Sequence, residues 1–141
     1  MKGLEALIKI HRFELDQKRR ALTEVEALEA GIETNIRNLQ TELSEEQEAA
    51  RHSVEGVYAY GGYARAVITR RENLRQSLTE AAREVAAARE VVAEAFETLK
   101  KYEITKASRD ASERAEANRR ETIQLDEIGL NAHARARKNR I

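Results

Sequence analysis

The sequence predicts an all-α protein: two long helices folded into an antiparallel coiled-coil hairpin, the second helix longer and projecting past the first. Three observations predict it. The 141 residues contain no Pro, no Trp, no Cys and only 6 Gly, so almost nothing interrupts a helix. Charged residues make up 35 % and aromatics only 4 %, which leaves little with which to build a globular core. Two stretches carry apolar residues at alternating spacings of four and three, the signature of a coiled-coil seam.

The first seam runs through Leu4, Ile8, His11, Leu15, Lys18, Leu22, Val25, Glu29, Ile32, Ile36, Leu39 and Leu43. Acid-then-base pairs such as Glu5/Lys9, Asp16/Arg20 and Glu33/Arg37 stand at helical spacing between the seam positions, in the favourable order. This predicts helix one over about 3–52. The pattern stops at Ser53-Val54-Glu55-Gly56-Val57-Tyr58-Ala59-Tyr60-Gly61-Gly62-Tyr63, which holds three of the six Gly and three of the four Tyr. Glycine frees the backbone and a Gly-Gly pair breaks helices, so the reversing loop is placed at about 53–62. The second seam resumes at Val67, Arg71, Leu74, Leu78, Ala81, Val85, Ala88, Val92, Ala95, Leu99 and Tyr102. Its small residues Ala81, Ala88 and Ala95 admit a close approach of the opposing helix. Helix two is predicted over about 63–138, and the chain as a single coiled-coil domain. From Lys106 to Arg120 the sequence is helix-forming but polar all round, and an apolar cluster returns at Ile123, Leu125, Ile128 and Leu130.

Folding the chain about residues 53–62 puts Leu43 near Leu74, Val25 near Val92 and Leu15 near Tyr102. The second helix then overhangs by roughly 25 residues. This register leaves Leu4, Leu7, Ile8, Ile10 and Phe13 opposite residues 104–113, which offer few apolar partners. A partner protein or self-association would collect their burial energy, about 1.5–3 kcal/mol for each large side chain. Partial cover by the second helix is the alternative.

The residues argue against chemistry. The phosphate-binding, HExxH and GxSxG patterns are missing. His11, His52 and His133 are far apart and lack spaced acidic partners, so no metal is expected. Asp126 and Glu127 are adjacent, and neighbouring helical positions point about 100° apart, so they do not converge on one bond. No catalytic residue and no cofactor are expected. No apolar run approaches the ~20 residues of a membrane span, and Met1-Lys2-Gly3-Leu4 does not open a signal peptide. The net charge is zero, yet residues 24–48 carry eight Glu against Arg37 alone, and residues 131–141 carry Arg135, Arg137, Lys138 and Arg140 without an acid. Bases and acids interleave up to residue 127 and stacking aromatics are lacking there, so nucleic acid is not an expected partner.

At both ends the residues resemble the FliJ family of flagellar type III export proteins. The opening Leu4-Glu5-Ala6-Leu7-Ile8-Lys9-Ile10-His11-Arg12-Phe13 is similar to the family's start. The closing Gln124-Leu125-Asp126-Glu127-Ile128-Gly129-Leu130, after Arg119-Arg120-Glu121, is similar to its acid pair in an apolar frame. The likeness covers nearly the whole chain. One departure is Phe96, where many members carry Trp.

The resemblance implies a non-enzymatic stalk that links a hexameric export ATPase to a membrane export gate protein, and export chaperones as further partners. It implies a cytoplasmic protein peripherally associated with the inner membrane. The helix ends would enter the ATPase ring. Candidate ATPase contacts are then Leu4, Ile8, Arg12, Phe13, Arg19, Arg20, Arg114, Arg119, Arg120, Leu125, Asp126, Glu127 and Ile128. Tyr58, Tyr60 and Tyr63 are candidates for the export gate, with capping of the hairpin core as the rival role. A generic coiled-coil scaffold or spacer is the alternative function.

Overall fold

The computed structural model describes residues 2–140. Two helices account for nearly all of them: α1 (Lys2–Ala50, 49 residues) and α2 (Val54–Asn139, 86 residues). No strand is present among the described residues. The two helices pack against each other as a hairpin. By its contacts the chain divides into two compact units, a turn unit of His11–Glu97 and a terminal unit of Met1–Ile10 with Thr98–Ile141.

In the turn unit the helices meet along the seams read from the sequence. Leu15, Leu39, Val67, Ala81 and Val85 are buried, and Leu22, Val25, Ile32, Ile36, Leu43, Leu74, Leu78, Ala88, Val92 and Ala95 are half-buried. Lys18 departs from the pattern and is exposed. A long cationic side chain keeps its head in water where the seam allows.

The reversal differs from the expected loop at 53–62. It occupies residues 51–53, and α2 begins at Val54. The amides of Arg51 and His52 donate to the carbonyls of Glu48 and Ala49, at 3.2 and 3.3 Å, which closes α1. Ser53 opens α2: its hydroxyl accepts from the Gly56 amide at 2.9 Å and its carbonyl from the Val57 amide at 3.2 Å. That is an N-cap. Gly61 and Gly62 sit inside α2, and none of the described residues has a positive φ. Glycine lowers helix stability without forbidding a helix. Here Gly56, Tyr60, Tyr63 and Val67 extend the four-three-four seam backwards and are all withdrawn from solvent. Packing along α1 outweighs the glycines' preference.

Moving the turn moves the register. Glu42 accepts a hydrogen bond from the Tyr63 hydroxyl at 3.0 Å. Pairing Leu43 with Leu74 would have put Glu42 opposite a residue about three turns further along α2. The expected pairs Leu43/Leu74, Val25/Val92 and Leu15/Tyr102 are therefore displaced by that amount.

The terminal unit shows the consequence. Leu4 and Ile8, expected to lack partners, are buried, with Ile8 only 4 % exposed. The same unit buries Leu99 and half-buries Tyr102, Glu103, Lys106 and Asp110. The seam thus runs on past Tyr102, using the stems of polar side chains. Leu7 and Ile10 stay exposed.

The glycines give a sharp test. A Cβ at Gly61 or Gly62 meets nothing within 4 Å, whereas at Gly56 it would lie 2.8 Å from Ser53 Oγ and 3.1 Å from the Ala50 carbonyl oxygen. Gly61→Ala with Gly62→Ala is expected to stabilise by about 1–2 kcal/mol, from the usual Gly-to-Ala difference within a helix. Gly56→Ala is expected to lower the melting midpoint. Circular dichroism melts of the two variants read both signs.

Candidate functional site

The sequence-derived candidates fall into both units. The terminal unit holds Leu4, Ile8, Arg114, Arg119, Arg120, Leu125, Asp126, Glu127 and Ile128. Leu4 and Ile8 face the interior and offer no free surface, because the hairpin itself covers them. The rest are exposed.

The end of α2 is the most open part of the described structure. Every residue from 117 to 140 is exposed. Glu116 sits at its start and gathers two cations. Arg119 donates to both carboxylate oxygens, at 2.8 and 3.1 Å, and Arg120 Nε lies 3.3 Å away. Hydrogen bonding from Arg119 holds the Glu116 carboxyl below its usual range, and the same bond raises Arg119. Two to three turns earlier Lys106 donates to Asp110 at 2.7 Å and lowers that carboxyl too. Exposed pairs of this kind support a helix weakly. They keep 106–120 helical where no apolar stripe exists.

Beyond them the apolar side chains do not share a face. With 100° per residue, Leu125 and Ile128 lie about 60° apart, while Ile123 and Leu130 lie on the roughly opposite side. Leu125 is 60 % and Ile128 64 % exposed. Asp126 and Glu127 flank the Ile123/Leu130 side, about 60° and 40° from Ile123. A flat partner would bury one side only.

The turn unit holds Arg12, Phe13, Arg19, Arg20 and the three tyrosines. Phe13 is 64 % exposed, and Arg12, Arg19 and Arg20 are exposed. Tyr58 points to solvent at 83 % exposure. Tyr60 and Tyr63 are half-buried, with ring centres 6.5 Å apart and tilted by 42°. Partial desolvation, and then the bond to Glu42, raise the Tyr63 phenol above 10. The three tyrosines therefore divide: Tyr63 ties α2 to α1, and Tyr58 alone is fully presented.

Two features escaped the sequence reading. Glu116 stands four residues before Arg120, a spacing that permits that pair, but its two-point hold on Arg119 was not legible. The shallow groove beside the turn, between Glu46 and Tyr60, depends on a register that the glycines obscured. Among the described residues no group of three or more His, Cys, Asp or Glu could hold a metal ion. None of their helices is long and apolar enough to cross a membrane.

Comparison with known proteins bears out the family resemblance. Residues 1–138 match the family model described as the flagellar FliJ protein. Two curated relatives, both named flagellar FliJ protein and both from strains of Caulobacter vibrioides, are 29 % identical over 133 residues. The match covers 92 % of this chain and 93 % of each relative. No solved structure matches. A family match over almost the whole length, on a two-helix hairpin, identifies the chain as a member of the flagellar FliJ protein family.

Proposed function

We propose that this chain is the stalk of a flagellar type III export apparatus, joining a hexameric export ATPase to a membrane export gate protein without catalysis of its own. In this reading it works at the cytoplasmic face of the inner membrane and, when free, receives export chaperones. The observation that carries the reading is the end of α2. Twenty-four consecutive residues, 117–140, are helical or nearly so and uncovered, with large apolar side chains on opposing sides. Only a partner that surrounds the helix buries both sides, and a ring channel does that. The charged stretch 106–120 suits the channel mouth, where contacts between long charged side chains exchange without a sticky core.

Arg114, Arg119, Arg120, Leu125, Asp126, Glu127 and Ile128 are the proposed ATPase contacts in this segment. Leu4 and Ile8 act behind them, by holding the terminal unit together. Arg12, Phe13, Arg19 and Arg20 offer an exposed surface on α1. Tyr58 is the strongest of the three tyrosines for the gate, since Tyr60 and Tyr63 are engaged within the hairpin. Truncation after Glu116 tests the reading. The described residues it removes, 117–140, are all exposed, so the thermal melt of the remainder is expected to hold. Stimulation of the cognate ATPase is expected to disappear. Full stimulation by the truncated chain would rule out insertion of this end.

A further inference from the structure

A groove of about 350 Å³ opens beside the turn, entirely within the turn unit. Its lining includes Glu46, Ala50, Gly56, Ala59, Tyr60 and Tyr63. The small residues make an apolar floor, and the two rings and one carboxylate stand around it. Tyr63 is held in place by its bond to Glu42, and Tyr60 lies against it at 6.5 Å. Aromatic faces attract cations, and more strongly where water is partly excluded.

The electrostatics at this end point the same way. The last turns of α1 carry Glu42, Glu45, Glu46 and Glu48, and its last turn holds no basic residue. A helix C-terminus is already the negative end of the backbone dipole, so glutamates there repel both one another and the helix end. Among the described residues Arg51 pairs with Glu48, at 3.5 Å. Glu45, Glu46 and Glu55 form no ion pair among the described residues. Arg70 lines the neighbouring groove with Glu42, Leu39 and Leu74 rather than this one, and its charge reaches Tyr63 from there. The fold has placed an excess of carboxylates beside a small apolar cleft with two aromatic rings.

We propose that this groove receives a cationic side chain, arginine in preference to lysine, carried by a basic segment of a partner protein. Arginine is favoured because a guanidinium is planar, stacks on aromatic rings and sheds water more readily than an ammonium. Glu46 supplies the counter-charge, and Tyr60 and Tyr63 the stacking surface. The site is independent of the end of α2, and the inference stands whether or not that end enters an ATPase ring.

The test uses the full chain, labelled with ¹⁵N, and the probe acetyl-Gly-Arg-Arg-Gly-amide, with lysine and glutamate versions beside it. Amide shifts are expected to cluster between residues 45 and 64, larger for arginine than for lysine and negligible for glutamate. Glu46→Gln, an exposed change that leaves the melt unaltered, is expected to weaken the arginine peptide by roughly 3-fold or more, as is Tyr60→Leu. Tyr60→Phe keeps the ring and is expected to retain binding. Shifts spread evenly along Glu24, Glu26, Glu29 and Glu33 would overturn the proposal, because they would report charge without a site. So would binding indifferent to both Glu46→Gln and Tyr60→Leu. If deleting residues 131–141 dissolved a salt-sensitive dimer, the occupant would be a second copy's basic end, and the proposal would fail in favour of self-association.

Discussion

Val85→Asp is expected to lower the thermal midpoint by roughly 10 °C or more. Val85 is 3 % exposed and sits on the seam between the helices in the turn unit. A carboxylate there must be buried without a partner or drag the helices apart to reach water. Either outcome costs about 3 kcal/mol or more, and in a domain of this size each kcal/mol is worth several degrees. The hairpin has one seam and no third layer, so little else compensates. Val85→Ala separates charge from volume: it deletes two methyl groups and is expected to cost only about 1–2 kcal/mol. Leu78→Asp is expected to fall between them, since Leu78 is half-buried and a carboxylate at that position turns more easily to solvent. Circular dichroism melts of the three variants give the order. Equal midpoints for Val85→Asp and the parent would mean that this face is not buried.

Leu125→Asp with Ile128→Asp is expected to do the reverse, leaving stability alone and removing partner binding. Both side chains are well exposed on the last part of α2, so the folded chain loses no buried contact. Under the proposed ring insertion both are buried in the complex. A large apolar side chain gains about 1.5–3 kcal/mol on full burial, and 1.4 kcal/mol is a factor of ten. Affinity for the export ATPase is then expected to drop by about two orders of magnitude, with an unchanged melt. Charge reversal at Arg119 and Arg120 is a milder companion. Both arginines are already paired with Glu116, so their contacts to a ring are expected to be weaker and lost in salt. Unimpaired binding of the doubly substituted chain would show that this face of the helix stays in solvent in the complex.

Seam, helix number and hairpin direction were legible in the sequence because a coiled coil writes its core at fixed spacing. Leu15, Leu39, Val67, Ala81 and Val85 stand where the four-three pattern puts them, and all are buried. The turn was misplaced because Gly61-Gly62 is the strongest local breaker in the chain, and local strength was outweighed by burial of Tyr60 and Tyr63 on either side. The decisive signal lay in the modest Ser53, whose hydroxyl caps α2. From that error came the expectation that Leu4 and Ile8 lack cover. The candidate surfaces at the two ends were visible as unmatched charge and apolar residues. Their pairings were not, because an acid such as Glu116 or Asp110 can choose a base on either side of it, and spacing alone does not say which.

A single reversal at residues 51–53 also fixes the order in which the hairpin closes most cheaply. Glu42 and Tyr63 are joined across 21 intervening bonds of sequence distance. Leu4 and Ile8 find their cover in residues from 98 onward, so at least 90 positions separate Ile8 from it. Loop-closure entropy costs about 0.6 kcal/mol for every doubling of that distance, so joining the ends first is penalised by roughly 1.2 kcal/mol against starting beside the turn. Zipping outward from Ser53 avoids the penalty at every step. On a ribosome the segment that covers Leu4 and Ile8 is also made late, after the whole of the turn unit. Leu4 and Ile8 thus stay without that shelter until more than half of the second helix has been made.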